Sequence, residues 1–326
     1  MTQDRSHAEI QLAQLQNDFF INLKSKGRSL NTLKNYKTDL DCFNNYLRVN
    51  DQKMDITNFS IPQVQMYGNY LETKYTSDNS RRRRVQALRI FFDYLVELNL
   101  YESNPVRKIP TSPKFLDIPR PTPFIDVKTL WVSLLDEAQS KNEMSALLAK
   151  RNQVVMLLIF GAGLKVSDLS KLKTSSIFVD GEKTRVLIHH DKRDPYTIML
   201  PKIFLTVYND YILKLNDAKI KSSVNFEELL FNANPYRILS GGLSPRGIEI
   251  VFEEYRKKLQ IKLTPKSLRQ ACIFKWLTFK HPETLIKEWM GVAPTYSLKL
   301  YKAHMEQYIY NESFMGELYK NHLAKN

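Results

Sequence analysis

The chain has 326 residues, 43% hydrophobic and 25% charged, which is enough apolar material for two domains of ordinary size and excludes a disordered or fibrous chain. Its 48 lysines and arginines against 34 acidic residues give a formal charge of +14, which points to a polyanionic partner, nucleic acid above all, although evenly solvated lysines are the plainer account of the same number. Cys42 and Cys272 are too far apart to suggest a disulfide framework or a zinc site; no apolar run reaches about 18 residues, and the N-terminus lacks a signal pattern, so a cytoplasmic protein that crosses no membrane is expected.

Residues 8–105 read as an all-helical unit. Ile10, Leu12, Leu15, Phe19, Phe20 and Leu23 recur at helical spacing, and Lys26-Gly27 ends that helix because glycine accepts a left-handed stop. Ser29 or Asn31 caps a second helix bearing Leu33, Tyr36, Leu40, Phe43 and Leu47 on one face. A third starts near Ser60, with Ile61, Val64, Tyr67 and Leu71 as its stripe. A fourth runs from about Asp78 to Leu98 and buries Val85, Leu88, Phe91, Phe92 and Leu95. Four such helices make a bundle.

Pro105, Pro110, Pro113, Pro119, Pro121 and Pro123 then crowd a segment that favours an extended linker. The expected domains are 1–107, a linker over 108–123, and 124–326. In the last, helical patterns cover about 126–139 and 147–160. Short β-rich runs follow at Ser176–Val179, Arg185–His190 and Tyr196–Leu200, with Asp180-Gly181 as a hairpin turn. Helices return near 201–216, 244–259, 265–279 and 282–290, and the tail from about 297 is helix-compatible, with Met305, Tyr308, Ile309, Phe314 and Leu318 as apolar positions. The second domain is therefore mainly α with a small antiparallel sheet.

The densest charge run is Arg81-Arg82-Arg83-Arg84. Four arginines at a helix start oppose the macrodipole, which argues for an external anion, while their spread around the axis keeps them from meeting one phosphate strand together. Phosphate clamping with a reach into the major groove is one reading, a solvated charge run the other. Asn31, Lys34, Tyr36 and Lys37 on the second helix suit the same groove.

Three segments carry a family resemblance. Gly161-Ala162-Gly163-Leu164-Lys165-Val166-Ser167-Asp168-Leu169 follows an apolar helix, Leu263-Thr264-Pro265-Lys266-Ser267-Leu268-Arg269-Gln270 lies a hundred residues on, and Trp289-Met290-Gly291-Val292 precedes Tyr301. In order and spacing they resemble the "TGLR-x-SEL", "TPHxLRH" and "LGH" boxes of the tyrosine recombinases, or phage integrases, of the Xer-like kind, and Asn104-Pro105 resembles the pair that ends that family's N-terminal domain. The resemblance covers nearly the whole chain. It implies a mainly α fold: a helical, SAM-like core-binding domain, then an α-rich catalytic-type domain with a small antiparallel sheet. It also implies double-stranded DNA as partner, no metal or organic cofactor, a location at the nucleoid, and a C-terminal helix that either docks on a neighbouring protomer to form a homo-oligomer or packs on its own chain. In that family a tyrosine attacks a phosphodiester, two arginines hold the non-bridging oxygens, a hairpin lysine protonates the leaving oxygen, and histidines support them.

Carried over residue by residue, Tyr301 matches the nucleophile, Arg269 the second arginine, and Lys192 the hairpin lysine, with Asp191 competing for that register. The departures are Lys165 for the first arginine, Lys266 for the first histidine, Val292 for the last histidine, and Gln270 for a structural one. Lysine keeps the charge but loses the bidentate fork, and valine neither donates nor accepts. Losing one positioned donor typically costs about 2.7–4 kcal/mol of transition-state stabilisation. His304 is a candidate for the missing donor, and His189 and His190 lie near the hairpin. The leading expectation is a DNA-binding protein with a degenerate site, non-catalytic or weakly active. The alternatives are an active recombinase with a rearranged site and an interaction module that no longer binds DNA.

Overall fold

Helix boundaries follow the residues that set them. The computed structural model describes residues 2–50, 56, 59–108, 119–190, 193–233 and 239–323. Helix α1 (Thr2–Ser25) stops where Gly27 turns left-handed at φ +73°, letting Gly27 N and Arg28 N donate back to the carbonyls of Lys24 and Leu23. Ser29 rather than Asn31 caps α2 (Leu30–Asn50), its hydroxyl accepting from Thr32 N at 3.2 Å. Ser60 and Gln63 form the cap of α3 (Ile61–Lys74), and α4 (Asp78–Glu97) completes the bundle.

The chain forms two compact units, Met1–Leu116 and Asp117–Asn326. In the first, the rings of Phe19, Phe43, Phe59, Tyr67, Phe91 and Phe92 pack edge to face or tilted at centroid distances such as 5.4 Å for Phe19–Phe91 and 5.2 Å for Phe43–Phe59. Ile61 is exposed and does not belong to the buried stripe of Val64, Tyr67 and Leu71: at the first position of its helix it lies ahead of the turn that meets the core. The last described element of the unit is a 3₁₀ turn, Pro105–Lys108. Asn104 holds that turn, donating to Arg89 O (2.8 Å) and Asp93 Oδ1 (2.7 Å) and accepting from Val106 N (2.9 Å).

The second unit begins with α5 (Phe124–Glu137) and α6 (Glu143–Met156), the latter continuing as a π turn over Leu157–Gly161. Glu143–Gly161 is long and apolar enough to cross a membrane by length and composition, but 72% of it is buried inside the unit, so it is a core helix. A short helix α7 (Val166–Leu169) leads to three antiparallel strands in sequential order, β1 (Ile177–Asp180), β2 (Lys183–His190) and β3 (Arg193–Met199). Val186 pairs with both Ile177 and Ile198, and with Ile188 it faces the core, as a period of two requires. Then come α8 (Ile203–Lys221), a small hairpin of β4 (Phe231–Ala233) and β5 (Leu239–Gly241) that the sequence pattern did not reveal, α9 (Pro245–Leu259), α10 (Pro265–Thr278), α11 (Glu283–Met290), α12 (Lys299–Ala303) and α13 (Ser313–Leu323).

Helix α10 is the hub. Its buried Lys275 donates to the carbonyls of Phe160 and Gly161, both at 3.1 Å, satisfying the π turn, and pairs with Glu312 ahead of α13. Pro119, Pro121 and Thr122, expected in an extended linker, are buried. Thr122 N donates to Ser267 O, and Arg120 N to the Gln270 side chain, both at 3.0 Å; residues 109–118 of that expected linker lie outside the described residues. The tail is not one continuous helix. Of its expected apolar stripe, Phe314 is buried, Met305, Tyr308 and Leu318 pack partly on the core and Ile309 is exposed, while Tyr310, Met315 and Tyr319 are buried. Trp131 Nε1 donates to Met315 O at 3.1 Å, so α13 rests on α5 of its own chain.

Candidate phosphate-binding cleft

Three segments far apart in sequence meet in the second unit. After the π turn, Gly163 adopts φ +68°, and a Cβ there would stand 2.4 Å from the Trp276 ring, so only glycine fits. The chain then extends through Lys165, whose N–H donates to Asp168 Oδ2 at 3.1 Å, fixing the entry to α7. At the start of α10, Thr264 accepts from Ser267 N at 3.0 Å, placing exposed Lys266 in the first turn and Arg269 one turn further. At the end of α11, Gly291 closes the helix at φ +65°.

Arg269 joins these pieces. Its Nε donates to Gly163 O and one terminal nitrogen to Met290 O, each at 2.5 Å, and Lys165 Nζ reaches Gly291 O at 3.4 Å. Burial lowers the Arg269 pKa, while nearby Asp168 and Tyr301 oppose that shift. Arg269 also lines a cleft of about 540 Å³, together with Lys165, Lys266 and Arg246 and Arg256 of α9. Two carboxylates, Glu249 and Glu253, share the lining. Five cations against two anions leave the cleft positive, the arrangement that attracts phosphate.

Tyr301 lies close enough to Arg269 to influence that group's titration. Its side chain is 8% exposed and packs on Phe274 of α10 at a centroid distance of 5.5 Å. Val292 packs partly against the core and offers no hydrogen bond through its side chain. His304 turns to its own helix, Nδ1 lying 2.8 Å from Leu300 O, and His189 is exposed. Lys192 and Asp191 lie outside the described residues. Among the described residues, no group of three or more His, Cys, Asp and Glu could hold a metal ion.

The sequence reading missed Arg246, Glu249, Glu253 and Arg256. Their spacing of three, four and three carried the signal, because it puts them on one face of a helix whose other face buries Ile248, Phe252 and Tyr255.

In the first unit the arginine run divides its charges. Arg84 is buried, its guanidinium 3.7 Å from the Tyr75 ring centroid, and it donates to Ser80 O. Arg83 pairs at 2.8 Å with Asp39, whose side chain is fully buried. Arg81 pairs with Asp78 and donates to Tyr75 O, and Arg82 has its Nε buried without a hydrogen-bond partner. Asn31, Lys34 and Lys37 are exposed on α2, with Tyr36 partly buried.

A helical bundle followed by an α-rich unit with a three-stranded antiparallel sheet is the fold that the resemblance to the phage integrases implies. Residues 17–99 match the family model described as phage integrase, N-terminal SAM-like domain. The chain is 27% identical over 252 residues to the tyrosine recombinase XerC of Myxococcus xanthus, covering 76% of this chain and 78% of that protein. It is 23% identical over 310 residues to XerC of Bacillus licheniformis, covering 92% and 94%. Among solved structures, the fold is similar to a lambda integrase dimer bound to a COC′ core site (TM-score 0.62, 15% identity, 92% of this chain and 79% of that one). It is also similar to the XerH recombinase in a post-cleavage complex with a palindromic difH substrate (TM-score 0.65, 14% identity, 86% and 77%). Over most of its length the chain is thus similar to proteins of the tyrosine recombinase family.

Proposed function

We propose that this protein binds double-stranded DNA in the manner of a tyrosine recombinase and cleaves it weakly or not at all. The observation that carries the reading is the cleft. Lys165, Lys266 and Arg269 line one cavity, so positive charge is kept at the family's phosphate site, while Val292 offers no donor and the two lysines replace a forked arginine and a histidine. Arg269 holds backbone oxygens of the DNA, Lys165 and Lys266 add charge, and Lys192 remains assigned to the hairpin position by sequence alone. Tyr301, at the nucleophile position, is largely buried. In the first unit, Asn31, Lys34, Lys37, Arg82 and Arg83 serve backbone contact; Arg81 assists at the edge, and Arg84 serves the fold.

A salt titration tests this. Duplex affinity should fall steeply with ionic strength, by about 0.9 in the log–log slope for each phosphate neutralised. A weak, salt-insensitive affinity would refute it. The second reading, an active recombinase with a rearranged site, is favoured by the retention of Tyr301 near the Arg269 guanidinium. Its test is a nicked suicide duplex: covalent product that disappears in Tyr301→Phe establishes activity.

The reading extends to a homo-oligomer joined through the C-terminal helix and to residence on the cytoplasmic nucleoid. Exchange of α13 would require Phe314, Met315 and Tyr319 to leave one copy's core for another's. Sedimentation on duplex DNA decides it: a protein that stays monomeric at every loading has no such exchange.

A further inference from the structure

The family's first phosphate-holding arginine is Lys165 in this chain, an ammonium that brings charge without the planar fork. Another guanidinium lies in the same cleft. Arg256 stands in the last turn of α9, its side chain 46% exposed, and lines the cavity with Lys165, Lys266 and Arg269. Its own ion pair is loose: a terminal nitrogen lies 3.7 Å from Glu253, while Lys257 holds the same carboxylate at 3.0 Å. The Glu253 carboxyl is kept below the ordinary carboxylate range chiefly by its hydrogen bond to Lys257. Arg256 can therefore leave Glu253 without stranding a charge, and an exposed pair of this kind contributes little to stability. Arg246, the other arginine of that face, is 3.2 Å from Glu249 and more exposed, at 72%.

We infer that Arg256 supplies the bidentate grip on the cleft's DNA phosphate that Lys165 cannot make, with Glu253 as the internal anion the phosphate displaces. This rests on the proposed DNA-binding role of the cleft. No bond is made or broken; the step exchanges one anion for another at a guanidinium.

The test measures affinity of the full chain for a mixed-sequence duplex across a salt series. Arg256→Lys keeps the charge and removes the fork, so affinity should fall about tenfold with the salt slope unchanged. Arg256→Gln should also lower the slope by about one. In a Lys165→Arg background, which restores the family's fork, the loss from Arg256→Lys should shrink to about twofold or less, because the two groups do the same work. Glu253→Gln removes the competitor and should raise affinity by about twofold or more. Wild-type affinity that ignores salt would defeat the DNA-binding reading and this inference with it. Salt-dependent wild-type binding with an unaffected Arg256→Lys variant, an equal loss in both backgrounds, or no gain from Glu253→Gln would each defeat the inference alone. Arg256 is half exposed, so unfolding midpoints should match wild type; if they shift, the Glu253→Gln comparison still decides.

Discussion

The arginine run of α4 and the cleft of the second unit both hold concentrated positive charge, but they hold it differently. Four adjacent arginines on a helix radiate around its axis. One is buried against Tyr75, one neutralises buried Asp39, and one closes on Asp78. Cleft cations come from residues as far apart as Lys165 and Arg269, and the fold brings them to one cavity. Density along the chain measures how much charge a segment carries; convergence in space measures how much an external phosphate can feel.

Five experiments bear on that contrast. The largest effect should come from Gly163→Ala. A left-handed backbone and a Cβ pressed into Trp276 should cost more than about 3 kcal/mol by denaturant titration and disturb the Arg269 anchor. An effect below about 1 kcal/mol would mean the loop relaxes freely and the convergence is loose.

Restoring the family's groups at once, with Lys165→Arg, Lys266→His and Val292→His, should raise covalent product on a nicked duplex about a hundredfold, the equivalent of about 2.7 kcal/mol. No gain would locate the impediment elsewhere, with buried Tyr301 the first suspect.

Arg84→Ala should cost about 2 kcal/mol of stability, since Arg84 is buried with its guanidinium on an aromatic ring, and should leave the salt slope of DNA binding unchanged. A reduced slope with unchanged stability would return Arg84 to the DNA face. Lys266→Gln should do the opposite: stability within about 0.5 kcal/mol of wild type and a slope lower by about one.

The smallest effect concerns pH. Asp39 titrates above the ordinary carboxylate value because burial outweighs the attraction of Arg83 and Arg84. A raised acid favours its protonated form in the folded state. Its contribution is therefore fully present below the ordinary value of 3.8 and is lost as pH rises through the higher folded value. Relative to Asp39→Asn, the wild-type melting temperature should gain as pH falls through that window; a constant difference would mean that Asp39 does not titrate in this way.

Much of the fold was legible because helix periodicity and capping are local. Gly27, Ser60 and Thr264 mark boundaries through backbone preferences and hydrogen bonds that span only a few residues. The β4–β5 hairpin was not, since three-residue strands such as Phe231–Ala233 are too short to establish an alternation. The tail was only partly legible: Met305 to Leu318 has helix-compatible apolar residues, but the core selects Tyr310, Met315 and Tyr319, and no local rule says which face it will choose.

By itself the sequence determined most of the helices and the three-stranded sheet, the segments that resemble the family's boxes, and the excess of positive charge, because propensity, spacing and charge are properties of neighbouring residues. Only the tertiary structure decided which charges are available. That Arg84 is consumed inside the bundle, that Tyr301 packs on Phe274, and that Arg256 joins Lys165 and Arg269 at one cleft all depend on contacts between distant segments, and the strength of a charge depends on its distance to partners and its access to water rather than its place in the chain.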